Sequence, residues 1–488
     1  MTEPPRRRVG VVGGGIAGLA AALQLSSLPN APDVVVLEAA SRAGGKLRLD
    51  SVAGVTVDVG AESMLATRPE AVDLARHVGL GSDLVVPALS APGLVLSDEV
   101  VRPLPPGLVL GIPGDLDALE GAGVLSPRAL KFVRAEAMRP TTAIAADVSL
   151  GGFVRTRLGD EVVDRLIEPL LGGVYAGHAD ELSLQACIPG IYGAATEGVA
   201  LTTAARELVA RARGVDLDVD AGDSRGGTRF VGVRGGVSRV VAAALGVLSA
   251  RGADVRFNTT VRGLARSASG WSITLGSAAA PEVLEVDGVV IATPGLAAAR
   301  LLNDVARAAA QDIAAIDYAS VAVITMAFRR HDVDAAAVEQ SSGLLMVPRP
   351  DRIVKASTYS SSKWEWLAQS CVDSAEPLAI IRASVGRFGE QHVLQCDDDE
   401  LASIAESELR PLIGARADSI DHVVTRWGGS LPQYRVGHID RVARIRSVLA
   451  AHAGLEVAGA AYDGIGIAAC IASGQSAATA VMNQLSVR

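Results

Sequence analysis

Near its amino end the chain reads RVGVVGGGIAGLAAALQL, which sets Gly13, Gly15 and Gly18 in a GxGxxG pattern between a β-type run (Val9, Val11, Val12) and a helix. Few folds tolerate this arrangement. Gly13 permits the tight turn, Gly15 leaves room for a pyrophosphate against the backbone, and Gly18 lets helix and strand pack closely. Gly14, Ile16 and Ala17 complete the turn, and the phosphate rests on the helix N-terminus, where free N–H groups and the dipole favour an anion. A second strand, DVVVLEAA, ends in Glu38 and Ala39, and the twenty residues from Gly18 to Glu38 are the spacing of a carboxylate that accepts hydrogen bonds from an adenosine ribose. The coincidence of strand, glycines, helix, second strand and acid favours a bound dinucleotide over a plain glycine turn.

This pattern alone does not separate FAD from NAD. The continuation EAASRAGGKLR does, with Arg42, Gly44, Gly45 and Lys46 close behind the acid. Here the chain resembles the FAD superfamily of amine oxidases, phytoene desaturases and protoporphyrinogen oxidases, in which the second glycine pair and a basic residue lie over the cofactor. DVGAES, carrying Gly60, Ala61, Glu62 and Ser63, is similar to the next stretch of that superfamily, where backbone approaches the flavin. The C-terminal VAGAAYDGIGIAACIASG adds an independent signal: Gly459, Gly464 and Gly466 precede a helix whose N-terminus suits negative charge on a reduced flavin.

The 488 residues, 49% hydrophobic, predict two or three domains with substantial cores. The net charge of −9 is interspersed rather than blocked, which argues against a nucleic-acid surface. Cys187, Cys371, Cys396 and Cys470 lie far apart with no metal-ligand spacing, so no metal is expected. The basic start MTEPPRRR leads into glycines rather than a signal-peptide core, and no apolar stretch is long enough to span a bilayer. A cytoplasmic protein with at most peripheral membrane contact is the expectation.

The fold class expected is α/β: a doubly wound, two-dinucleotide-type FAD-binding domain (residues 1–85, 226–298 and 449–488), a mixed α+β substrate domain (86–114 and 299–448) and a helical insertion (115–225). SPRALKFVRAEAM and TTAARELVARARG supply the helical runs, and VAVITMAF, LAIIRASVG and DHVVTRW supply strands of the mixed sheet. Gly, Asp and Arg crowd residues 214–229, which read as an exposed, mobile loop.

TRPEAVDLARHVGL, LLGGVYAGHADELSL, SSKWEW, RWGGSLPQYRVGH and YDGIGIAACI, in this order, resemble the bacterial oxygen-dependent protoporphyrinogen and coproporphyrinogen oxidases over most of the chain. One departure stands out: that family usually carries Pro-Asp before Cys-Ile, where this chain has Ala468 and Ala469. The resemblance implies non-covalent FAD, with Val261 at the adenine, Trp427 near the cofactor, and Ile465, Gly466 and Ile467 beside the isoalloxazine. It also makes Arg68, Gly173, Tyr175 and Lys363 candidate lining residues for a tetrapyrrole.

It further implies a six-electron oxidation of a porphyrinogen in three two-electron rounds, with O2 as acceptor and H2O2 released, on the route to haem. Other haem-pathway enzymes are candidate partners. The cofactor carries this chemistry, so no side chain is assigned as catalyst, and His178 and His438 read as structural. Arginine outnumbers lysine and no apolar stripe marks the helical insertion, which resembles the soluble enzymes that act on coproporphyrinogen III. Protoporphyrinogen IX, an amine or a carotenoid as substrate, and a non-redox FAD-fold escort protein remain as alternatives.

Overall fold

The computed structural model describes residues 6–89, 93–213 and 230–486; the loop expected over 214–229 lies outside them. β1 (Arg8–Val12) is buried at every position after Arg8, and α1 (Ile16–Ser26) carries the chain to β2 (Asp33–Leu37), buried in the same way. Strands covered on both faces read as unbroken apolar runs, hence the absence of alternation in RVGVV and DVVVL. A hairpin of β3 (Leu49–Val52) and β4 (Val55–Asp58) follows, then a second of β5 (Leu94–Ser97) and β6 (Val100–Pro103). Helices occupy most of Leu116–Arg213. Among them, α2 (Glu168–Val174) continues directly from a π-helical turn at Val163–Ile167.

The chain returns at β7 (Asp254–Arg256) and makes an antiparallel meander of β8 (Val261–Arg266), β9 (Trp271–Ser277) and β10 (Ala280–Val286). It then re-enters the first layer at β11 (Gly288–Ile291). β12 (Tyr318–Arg329), β13 (Gly343–Met346), β14 (Val354–Tyr359) and β15 (Leu378–Val385) come next. α3 (Asp398–Ile413), β16 (Asp421–Pro432), α4 (His438–Leu449), β17 (Leu455–Val457) and α5 (Ile467–Ser486) complete the order.

Two sheets organise these elements. The first is parallel, in the order β7-β2-β1-β11-β17, the doubly wound α/β layer; the second is seven-stranded and mixed, β16-β12-β15-β14-β13-β5-β6. α1 and α5 lie against each other on the first sheet so closely that a methyl on Gly474 would fall 2.0 Å from the carbonyl oxygen of Ala17. The small-residue runs in both helices are what permit that approach. On one face of the second sheet, Ile324, Ala383 and Leu344 pack under Leu401, Ala405 and Leu409 of α3. Among the described residues no helix is long and apolar enough to cross a membrane, and no cluster of His, Cys, Asp or Glu could hold a metal ion.

Candidate functional site

The turn after β1 has the shape its glycines require. Gly13 has φ +106°, and a side chain there would meet the Ala292 carbonyl oxygen at 2.8 Å. At Gly15 a Cβ would meet nothing within 4 Å, so this position faces open space above the start of α1. The Glu38 carboxylate ends β2 beside it, accepting from Gly14 N at 2.6 Å and Ala40 N at 2.8 Å. Asn258 N and Thr259 N donate to the carbonyls of Ala40 and Glu38, both at 2.9 Å, which leads Val261 at the head of β8 past the Glu38–Ala39 corner.

The second glycine pair folds back on the first, with Gly15 and Gly44 bridged as parallel strands. Arg42 spends its guanidinium on the carbonyls of Ala43, Gly45 and Leu47, so it braces its own turn. Lys46 donates to the carbonyl of Ser430, and burial lowers the proton affinity of its ammonium. Trp427 of β16 stands next to this segment: its Cζ2 lies 3.3 Å from where a Cβ of Gly60 would be.

Behind Gly60–Ser63 sits an ion cluster that ties this loop to the second sheet. Glu62 accepts from Lys363 Nζ and Arg382 Nη1, both at 2.7 Å, and from Ser360 Oγ at 2.9 Å, while Arg382 Nη2 also donates to the Gly60 carbonyl at 2.5 Å. Burial pushes the Glu62 carboxyl up, yet the two cations outweigh it and hold it down at about 2. Asp58, just before, accepts from Val237 N, Ser238 N and Ser238 Oγ. Burial dominates there and raises its carboxyl to about 6.

The C-terminal turn closes the cradle. Gly459 N donates to Ser473 Oγ at 3.0 Å, Tyr434 Oη donates to the Ala460 carbonyl at 2.6 Å, and Gly464 N donates to Tyr434 Oη at 2.8 Å. Beyond it a Cβ on Gly466 would meet nothing within 4 Å, so this turn, like that at Gly15, has room on its open side. Ile465 packs on the helical core and Ile467 opens α5. Ala468 and Ala469, where the resembled family carries Pro-Asp, are buried in the first turn of α5.

The face of the second sheet that carries Arg382 meets the Gly60–Ser63 loop. Val323, Ser384, Ala356 and Leu345 are paired strand to strand, so they share one face, and all four are half-buried. Gly173 of α2 looks onto the row, its would-be Cβ 3.9 Å from Leu345. Arg68 reaches the cradle with Nη1 4.0 Å from a Cβ built on Gly464, and its side chain is 43% exposed with a long 3.4 Å contact to Glu70.

Two nominated lining residues are placed otherwise. Lys363 gives its charge to Glu62 and is 13% exposed, because leaving that carboxylate unpaired beneath the sheet would cost more than a surface contact returns. Tyr175 lies inside the helical core, 5.6 Å from the ring of Tyr434, where burial raises its phenol well above the ordinary range. Lys363 thus meets Arg382 on one carboxylate, while the Tyr175 ring packs among the helices. His178 binds the Phe388 carbonyl at 3.0 Å, and His438 is stacked in the interior with its imidazole pushed down to about 4 by burial. Arg382, Ser360, Tyr434 and Ser473 escaped the sequence reading, although an arginine inside the apolar run LAIIRASV signals a buried pair.

The sequence pattern of flavin-containing amine oxidoreductases matches residues 16–482. The chain belongs to that family. It is therefore a flavin oxidoreductase, and the open glycine turns at Gly15 and Gly466 fit the cofactor's need for close backbone approach. A coproporphyrinogen III oxidase of Mycobacterium tuberculosis is 32% identical over 97% of both chains. A protoporphyrinogen oxidase of Bos taurus is 28% identical over 98% of each. The crystal structure of a proposed protoporphyrinogen oxidase from Exiguobacterium superposes with a TM-score of 0.82 at 29% identity, over 98% of this chain and 99% of that one.

Proposed function

We propose that this flavin oxidoreductase uses non-covalent FAD to oxidise coproporphyrinogen III to coproporphyrin III, with O2 as acceptor. The observation that carries the reading is the 32% identity to a coproporphyrinogen III oxidase over 97% of both chains, which takes in the second sheet and the helical segment as well as the glycine turns. Removing six electrons and six protons from one porphyrinogen consumes three O2 and yields three H2O2. Bound FAD supplies the two-electron chemistry of each round.

The chain's own residues do the holding. The amides of the Gly13–Gly18 turn cradle the pyrophosphate, Glu38 takes the ribose, and Val261 flanks the adenine. Lys46, Gly60–Ser63, Trp427 and Gly459–Ile467 frame the isoalloxazine, with Arg42 and Gly45 shaping the second turn. The row Val323, Ser384, Ala356 and Leu345, roofed at Gly173, receives the macrocycle and keeps water from it. Arg68 offers a charge-assisted hydrogen bond to a propionate. No side-chain base is assigned, because Glu38, Glu62 and Asp463 are each engaged by donors of the fold.

Protoporphyrinogen IX is the second reading, favoured by the 28% identity to the bovine enzyme over 98% of each chain. Oxygen uptake measured in parallel with coproporphyrinogen III, protoporphyrinogen IX and an amine decides between them. A larger kcat/KM for protoporphyrinogen IX overturns the substrate assignment, and turnover of the amine alone overturns the porphyrinogen reading.

A further inference from the structure

Tyr434 is 2% exposed and touches three parts of the fold at once. Its ring stacks on His438 with centroids 3.9 Å apart and planes at 15°, and leans on Tyr175 at 5.6 Å. Its backbone carbonyl accepts from Ser183 N at 2.8 Å, and Arg435 next to it pairs with Leu182, so this segment is sewn to the helical layer. Gly437 N extends the seam to Asp147 Oδ2 at 2.9 Å. The far end of the same side chain is the hydroxyl that grips Ala460 and Gly464.

A second hydroxyl grips the turn from the opposite side. Ser473 of α5 accepts from Gly459 N and donates to Asp463 Oδ2 at 2.7 Å, and Asp463 is fixed in turn by Arg446 at 2.5 Å. The two clamps hold Gly459 to Gly464, just before the open Gly466 and the free amides that start α5. Nothing in the first turn of α5 is acidic, so those amides remain the nearest source of positive potential the helix offers.

We propose that Tyr434 and Ser473 are positioning residues for the flavin. Together they set the height of the Gly464–Ile467 amides beneath the ring, and Tyr434 ties that height to the helical layer that roofs the second sheet. The inference rests on the reading that FAD occupies the glycine turns. Fixed dipoles stabilise charge on a reduced ring only while they are held in place, and a buried N–H that loses its partner relaxes toward another.

Tyr434→Phe keeps the ring and both stacks and deletes only the hydroxyl; Ser473→Ala deletes the second clamp. In purified flavin-loaded protein each variant is expected to retain the cofactor, lower its midpoint potential, shift its visible absorption, and lose about fivefold in kcat with KM little changed. Thr202→Val, which removes a buried hydroxyl bound to Glu136 in the helical layer, should cost stability and leave potential and spectrum unmoved. Wild-type potential and spectrum in both clamp variants overturn the proposal. Should Tyr434→Phe not accumulate folded, Ser473→Ala alone decides by the same readouts. A wild-type protein that carries no flavin overturns the underlying cofactor reading instead, so the two failures are separable.

Discussion

The backbone N–H of Gly44 donates to the carbonyl of Gly14 at 2.8 Å, so the second glycine turn lies directly on the first. A methyl at Gly45 would sit 3.4 Å from the Cα of Gly15. Two turns some thirty residues apart in sequence thus make one backbone surface, and substitutions on it separate cofactor binding from folding.

Gly15→Leu tests that separation. The side chain would project into open space from a φ of −68° that any residue adopts. The change should leave the unfolding free energy of the flavin-free protein within about 0.5 kcal/mol of flavin-free wild type and abolish the flavin absorbance of the purified protein. A variant that keeps its yellow colour would speak against a pyrophosphate at this turn.

Gly474→Val should behave in the opposite way. Its Cβ would meet the carbonyl oxygen of Ala17 at 2.0 Å, and backbone cannot rotate aside as a side chain can. A loss of about 2–4 kcal/mol is expected in denaturant unfolding of the flavin-free protein.

Two buried carboxyls predict opposite responses to pH. Glu62 is held at about 2, below its ordinary 4.5, so its stabilisation is complete above about pH 4.5 and drains as pH falls toward 2. The stability gap between wild type and Glu62→Gln should therefore narrow across that window. Asp58 is raised from 3.8 to about 6, so its ionised form carries a cost that is relieved as pH falls from 6 toward 3.8. The gap to Asp58→Asn should widen there; urea midpoints at a series of pH values measure both.

Arg68 and Lys363 should part company in kinetics. Arg68→Met is expected to raise KM for coproporphyrinogen III about tenfold with flavin content unchanged, since its side chain is partly exposed beside the cradle. Lys363→Met should instead lower the unfolding midpoint and leave KM alone, because its partner is Glu62. A rise in KM for Lys363→Met would restore it to the lining.

How far the sequence could be read follows from the range of each interaction. The Gly13–Gly18 turn, the Glu38 corner and the buried parallel strands are local patterns, and each is visible in a dozen residues. The partners of Lys363 and Arg382 are not: both charges converge on Glu62 from about three hundred residues away, and nothing near SSKWEW or LAIIRASV names it. Tyr175 is nominated only through the resemblance of its segment, and the packing of its ring on Tyr434, 259 residues away, has no sign in GGVYAG itself. Ser473 sits among alanines whose evident purpose is close helix packing, and its bond to Gly459 appears only once the turn is folded.

The contact between Gly474 and Ala17 joins α1 to α5, helices more than four hundred residues apart in sequence. During synthesis the pocket therefore stays half-walled until α5 has emerged from the ribosome, and cofactor capture waits for that helix rather than scaffolding the elements made before it. Nascent chains arrested before Ile467 should hold no flavin, whereas released ones should take it up.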